Sequence, residues 1–319
     1  MIRYLIRKSL LMIIILVVLH FVAYHFALRH PAHLFYPFSS STDPDAEFSP
    51  SQYPAYVRGL LSGDLGEAGG APVAEVIGDP IRKSLVLLGV AVVVTVTTGL
   101  LLGFLAISPR TWRIRPAATL LLAAGSSMPG FVLGAIILSL LVYQLLFSGS
   151  GTTLLPISGY GLGRHLILPV MVLAVQPTFH LAKVTAGLLE NELQRDYIQV
   201  AQSKGLDWRR VLGRHAWANV LSPALITMGE AMRLMIGGLV LVEAIFLWPG
   251  IGRILLYSLG LRLDAGPTGN FFGDPELIAI LAVILGSWIL LADLIAGLLA
   301  YHFDPRVSVA AQEGGALPA

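Results

Sequence analysis

Residues 9–28 carry no charged side chain. A hydrocarbon layer about 30 Å thick is crossed by roughly 20 apolar residues in a helix. Five more apolar runs follow, at 84–108, at 117–147 inside a charge-free stretch from Pro116 to Gly163, and at 165–185, 222–247 and 277–303. Backbone polar groups in hydrocarbon must be bonded within their own segment, so each run is expected as a helix. The fold class expected is therefore an all-α polytopic membrane protein with six transmembrane helices. The first run follows Arg3, Arg7 and Lys8, as the apolar stretch of a signal peptide would. It is too long for one and no small-x-small cleavage pattern follows near Arg29, so it is expected to remain as a span.

Composition narrows the class further. Of 319 residues, 55% are hydrophobic and 13% charged, against about 25% charged in a soluble domain. A disordered tail, a basic nucleic-acid binder and an ordinary soluble enzyme are excluded. The absence of cysteine removes disulfides, thiolate metal sites and cysteine nucleophiles. The net charge of +2 is uninformative; the placement of the charges is not. If both termini are cytoplasmic, thirteen Lys and Arg fall on that side, in 1–8, around Arg110, in 183–221 and at Arg306, against seven outside. The positive-inside rule favours that topology. It makes 29–83 and 248–276 outer loops, 188–221 an inner loop and 304–319 an inner tail, expected to be disordered from its Ala and Gly content.

The loop 188–221 is polar and basic, and is expected to fold as helix, break, helix. Gln194 to Lys204 are good helix formers with Asp196 near the start, where a carboxylate favours the helix dipole. Gly205 accepts the positive φ that ends a helix. Asp207 is placed to cap a second helix through Trp208, Arg209 and Arg210, and Pro223 is expected at the entry to the fifth span. A connector resting on anionic lipid is one account of such a loop. A lever working against a soluble motor is the other.

The string DYIQVAQSKGL at Asp196–Leu206, followed by VLGRHAWANVLSP at Val211–Pro223, resembles the cytoplasmic loop of ABC-importer permeases. The likeness is nearest to the peptide and nickel importer family, in the first (B-type) of its two permease types. MIRYLIRKSLL at the start, GDLG at Gly63–Gly66, SSMPGF at Ser126–Phe131, LLPISGYG at Leu154–Gly161, HLILP at His165–Pro169, EAIFLWPGIGR at Glu243–Arg253 and DPRV at Asp304–Val307 extend it along the chain. The resemblance implies a type I ABC-importer permease architecture in a prokaryotic inner membrane. It implies a second, homologous permease as partner, two ATPase subunits that hold ATP and magnesium, and an extracytoplasmic binding protein that delivers a peptide-like substrate. Asp196, Tyr197, Ala201, Lys204, Gly205 and Leu206 would form the contact with the ATPase, with Ala201 allowing close approach and Tyr197 and Leu206 as anchors. The chain has no Gly-x-x-x-x-Gly-Lys-Ser/Thr string, so it is expected to be non-catalytic and to bind no cofactor itself.

Ionisable groups inside spans tend to face a pathway or a partner. Glu243 and Asp293 match acids in the family's fifth and sixth spans; each is open to a structural bond between helices or to a place on the route. Glu230 and Arg233 lie three apart and are spaced to pair on one helix face; alternatively Arg233 meets a cargo carboxylate or Glu230 a cargo amine. With Ser127 and Pro129 of the SSMPGF string, these are the expected path residues. His20, His25, His30 and His33 do not stack on one helix face and are expected as interfacial polar residues rather than metal ligands. Three features depart from the family: His30-Pro31-Ala32-His33 stands where Pro-Gly-Asp-Pro is frequent, the first outer loop is short, and Gln202 replaces a common basic residue. The alternatives are a nickel or metal-chelate cargo in the same family, a secondary transporter, and an intramembrane hydrolase built on Ser150 or Ser158 with His180 or His302.

Overall fold

Internal backbone bonding is what a bilayer demands, and helices dominate the computed structural model, which describes residues 2–29, 52–147, 155–260 and 274–303. In chain order these are α1 (Ile2–Arg29), α2 (Gln52–Leu61), a hairpin of β1 (Glu67–Ala68) and β2 (Ala71–Pro72), α3 (Val73–Ala106), α4 (Pro116–Ser127), α5 (Gly130–Phe147), α6 (Arg164–Leu193), α7 (Asp196–Ser203), α8 (Trp208–Arg210), α9 (Trp217–Ile245), α10 (Ile251–Ser258) and α11 (Pro275–Phe303). Six helical stretches among the described residues are long and apolar enough to cross a membrane: Leu5–Leu28, Val73–Ala106, Gly130–Phe147, Arg164–Leu193, Trp208–Ile245 and Pro275–Phe303. On α1 the exposed side chains include Leu10, Ile13, Ile14, Val17, Val18 and Phe21. An apolar surface of that kind is stable against acyl chains and not against water.

Two differences from the expected spans have clear causes. The third apolar run is two helices, not one. Met128 takes an extended conformation (φ −90°, ψ 114°), because the ring of Pro129 disfavours helix at the preceding residue. Ser126 and Ser127 then donate their hydroxyls to the carbonyl of Ala123 at 3.0 and 2.9 Å, so both side chains bond back into the last turn of α4. Pro223 also does not mark a helix entry. It lies inside α9, and the helical path begins at Trp208 and passes through a π-helical turn at Val211–Ala216. Extra residues in a helix are absorbed by such a turn without breaking the run.

The chain divides into two compact units. The first comprises Met1–Leu88, Gly134–Pro169 and Gly238–Leu290, the second Gly89–Leu133, Val170–Gly237 and Leu291–Ala319. In the first, Trp248 is fully buried and its indole N–H donates to the carbonyl of Lys83 at 3.1 Å. Beside it, Leu247 adopts a positive φ of 52° in the connection between α9 and α10. In the second, one core joins Ile107, Leu189, Leu193, Ile198, Ala201, Val211, Ala216 and Val220. That core fixes the loop after α6.

Candidate functional site

The loop after α6 is held by its own buried side. Ile198, Ala201, Val211 and Ala216 point into the core of the second unit, and Leu206 packs against it. Trp208 meets Trp112 edge-on with ring centres 5.0 Å apart, and Phe104 meets Trp217 at 5.0 Å. The backbone N–H of Ile114 donates to Oε1 of Glu190 at 3.0 Å, tying the α3–α4 connection to α6. At the end of α7, Gly205 has φ +73°, and the N–H of Leu206 reaches back to the carbonyl of Ala201 at 3.2 Å. This is a Schellman cap with its usual apolar partner.

Two of the expected motor contacts therefore serve the chain itself. Ala201 is buried, and its small side chain allows close packing inside this protein. Leu206 completes the cap. Asp196, Tyr197, Lys204 and Gly205 are exposed. Val200, which the motif comparison did not single out, is exposed as well; it lies three residues after Tyr197 and four before Lys204, so the three share one face. The Tyr197 hydroxyl donates to Oε1 of Glu192 at 2.5 Å. Nδ2 of Asn219 donates to the same Glu192 oxygen at 2.8 Å and to the Tyr197 hydroxyl at 3.0 Å. Burial, and then the bond to Glu192, holds the Tyr197 hydroxyl above the usual tyrosine range, so it stays a donor. Asp207 stands at the start of α8 in extended conformation, but its side chain makes no capping bond.

Within the spans the charged residues pair both as their spacing suggests and across helices. Arg233 makes its close ion pair with Asp293 of α11, while its distance to Glu230 is 4.0 Å. Glu230 faces His180 of α6, Oε2 to Nε2 3.3 Å. The four side chains are between 31% and 42% exposed. Glu243, by contrast, is fully buried. Ser84 donates its hydroxyl to Oε1 at 2.5 Å, and the backbone N–H groups of Gly252 and Arg253 donate to Oε2 at 2.7 and 3.3 Å. A Cβ on Gly250 would run into this carboxylate. Glu243 thus closes the Trp-Pro-Gly turn rather than presenting charge to a path. Ser127 is exposed at the α4–α5 break, beside Pro129.

His20 contacts the Tyr53 hydroxyl at 3.0 Å and stacks on Tyr24 and Tyr56; His25 contacts the carbonyl of Phe21 at 2.9 Å. His30, His33, Ser150, the DPRV string and the side chain of Gln202 lie outside the described residues.

Residues 96–309 match the family described as binding-protein-dependent transport system inner membrane component. The chain belongs to that family, and it is a multi-pass membrane component of a binding-protein-dependent transport system. Among curated proteins it is similar to the oligopeptide transport system permease protein AppB of Bacillus subtilis (strain 168), 29% identical over 80% of this chain and 79% of that one. It is likewise 28% identical to the dipeptide transport system permease protein DppB of the same organism, over 81% of this chain and 79% of that protein. A putative peptide transport system permease protein of Brucella abortus (strain 2308) is 30% identical over 74% of this chain and 72% of its own length.

Proposed function

We propose that this permease imports short peptides, pairs with a second homologous permease, and is driven by two ATPase subunits that bind ATP and magnesium on their own chains. An extracytoplasmic binding protein hands it the cargo, and both termini lie in the cytoplasm of a prokaryotic cell. The observation that carries this reading is the loop after α6. Its inward side is locked by Ile198, Ala201 and the Gly205 cap, while Tyr197, Val200 and Lys204 form an outward face. A rigid, exposed helix end transmits force from a partner, whereas a floppy connector would absorb it. The peptide class follows from the names of AppB, DppB and the Brucella abortus relative. Ser127 and Pro129 at the α4–α5 break, with the charged set around Glu230, are the path residues of this reading; Glu243 belongs to the scaffold.

The test is uptake in proteoliposomes that hold the whole complex and no ion gradient. ATP-dependent accumulation of trialanine, with no accumulation of a nickel chelate, is expected. Uptake that needs an ion gradient, or that takes the nickel chelate and refuses trialanine, would overturn the reading.

A further inference from the structure

Glu230 and Arg233 are neighbours on α9, and their spacing alone leaves open whether either is available to a ligand. The structure decides this. Arg233 is engaged by Asp293, and α9 and α11 are brought close there because Gly229 sits where a Cβ would press on the Cβ of Ala296 at 2.5 Å. Among the described residues Glu230 is faced by Arg233 at 4.0 Å and by the imidazole of His180 at 3.3 Å, which in its neutral form donates one hydrogen and cancels no charge. Two carboxylates then face one guanidinium. Lys183, one turn beyond His180 on α6, is exposed and in no ion pair among the described residues. Charge left unbalanced within a membrane span is costly where it faces lipid, and so is found facing water or a polar ligand. The Glu230 side chain is 42% exposed.

We infer that Glu230, positioned by His180 and by the Arg233–Asp293 pair, is a cation-recognition site that takes an ammonium group of the cargo. The charge of Arg233 is already spent on two acids, Asp293 and, at 4.0 Å, Glu230. If the cargo is a peptide, the ammonium is its free amino terminus; that last step rests on the peptide reading above, while the preference for a cation does not.

The chain has no cysteine, so a reporter thiol is unambiguous. Ile226 is 38% exposed and lies four residues before Glu230, on the same helix face. In the complete complex carrying Ile226→Cys, labelling of this chain is followed by mass spectrometry at pH 8, where an imidazole is ordinarily neutral. Methanethiosulfonates bearing a trimethylammonium or a sulfonate are compared. The cationic reagent is expected to react faster, and adding Glu230→Gln to lower the rate ratio by about tenfold. A ratio unchanged by Glu230→Gln overturns the site, and so does a thiol that neither reagent reaches. Loss of the partner permease on purification of Glu230→Gln also overturns it, since that outcome makes the acid an interface group. Uptake gives the second readout: Glu230→Gln should reduce transport of trialanine about tenfold and leave N-acetyltrialanine unchanged. Equal losses for both would count against recognition of the ammonium. Failure of the wild-type complex to take up either peptide would count against the peptide reading, and the thiol ratio would still decide the cation site.

Discussion

Ser84 of α3 donates its hydroxyl to Oε1 of Glu243 at 2.5 Å while the N–H of Ile251 donates to the Ser84 oxygen at 2.9 Å. One serine thus ties α3, the end of α9 and the start of α10 together inside the first unit. Glu243→Ala would leave Ser84 and the N–H groups of Gly252 and Arg253 without their acceptor, at about 1–3 kcal/mol for each donor that water cannot reach. We expect a lower thermal midpoint of the purified complex, and a smaller loss for Glu243→Gln, which keeps one acceptor oxygen. Equal stability of all three proteins would show that the node is not structural.

Gly130→Ala is expected to destabilise the α4–α5 junction. A Cβ at Gly130 would press on the backbone carbonyl of Val172, and a backbone atom yields far less easily than the end of a side chain. Overpacking of this kind costs roughly 1–3 kcal/mol. Gly187→Ala is the control, because nothing lies within 4 Å of its Cβ position. The thermal midpoints of the two variants should separate accordingly.

Gly205 offers a test that separates strain from contact. Its φ is +73° and nothing lies within 4 Å of where a Cβ would stand, so any side chain pays only the left-handed backbone cost, roughly 1–2 kcal/mol. Gly205→Ala should therefore co-purify with the ATPase subunits in slightly reduced yield. Gly205→Trp carries the same strain plus bulk on the outward face, and should lose the ATPase while still inserting in the membrane. Matching yields for the two variants would exclude a motor contact at this position.

Tyr197→Phe removes the hydroxyl shared by Glu192 and Asn219. The bonds are partly exposed, so the loss is about 1 kcal/mol, read as about fivefold faster hydrogen exchange of the α7 amides. The native pKa of Tyr197 is raised by burial and by Glu192, so the native state holds its proton more tightly than the unfolded chain. Its contribution is then full below about pH 10 and is lost as pH rises through the native value. Exchange in the wild type should accelerate towards that of the variant only in that alkaline window.

The Arg233–Asp293 pair predicts non-additivity. Arg233→Gln alone leaves the Asp293 carboxylate in a membrane span without its close partner, whereas the double variant with Asp293→Asn removes both members of that pair. Expression yield and thermal stability should fall most in Arg233→Gln, less in Asp293→Asn, which leaves Arg233 its contact with Glu230 at 4.0 Å, and recover in part in the double, with a coupling of about 0.5–3 kcal/mol.

Hydrophobic run lengths determined that this chain spans a membrane and roughly where, because depth in a bilayer depends on local sequence alone. The ordered strings from DYIQVAQSKGL to EAIFLWPGIGR were equally legible, and the match over residues 96–309 places the chain in the family they suggested. The break at Met128 was readable in principle from Pro129, since that constraint is local. What stayed hidden depended on which helices are neighbours. Nothing near Arg233 in sequence announces Asp293, sixty residues on. Spacing alone suggests the pair with Glu230, which stands at 4.0 Å, and packing of α9 against α11 adds the closer one. Ala201 looks the same in sequence whether it faces a motor or its own core; burial against Leu189, Ile198 and Val211 settled it. Local physics sets depth and breaks, and tertiary contact decides which face is spent on the fold and which is left for a ligand.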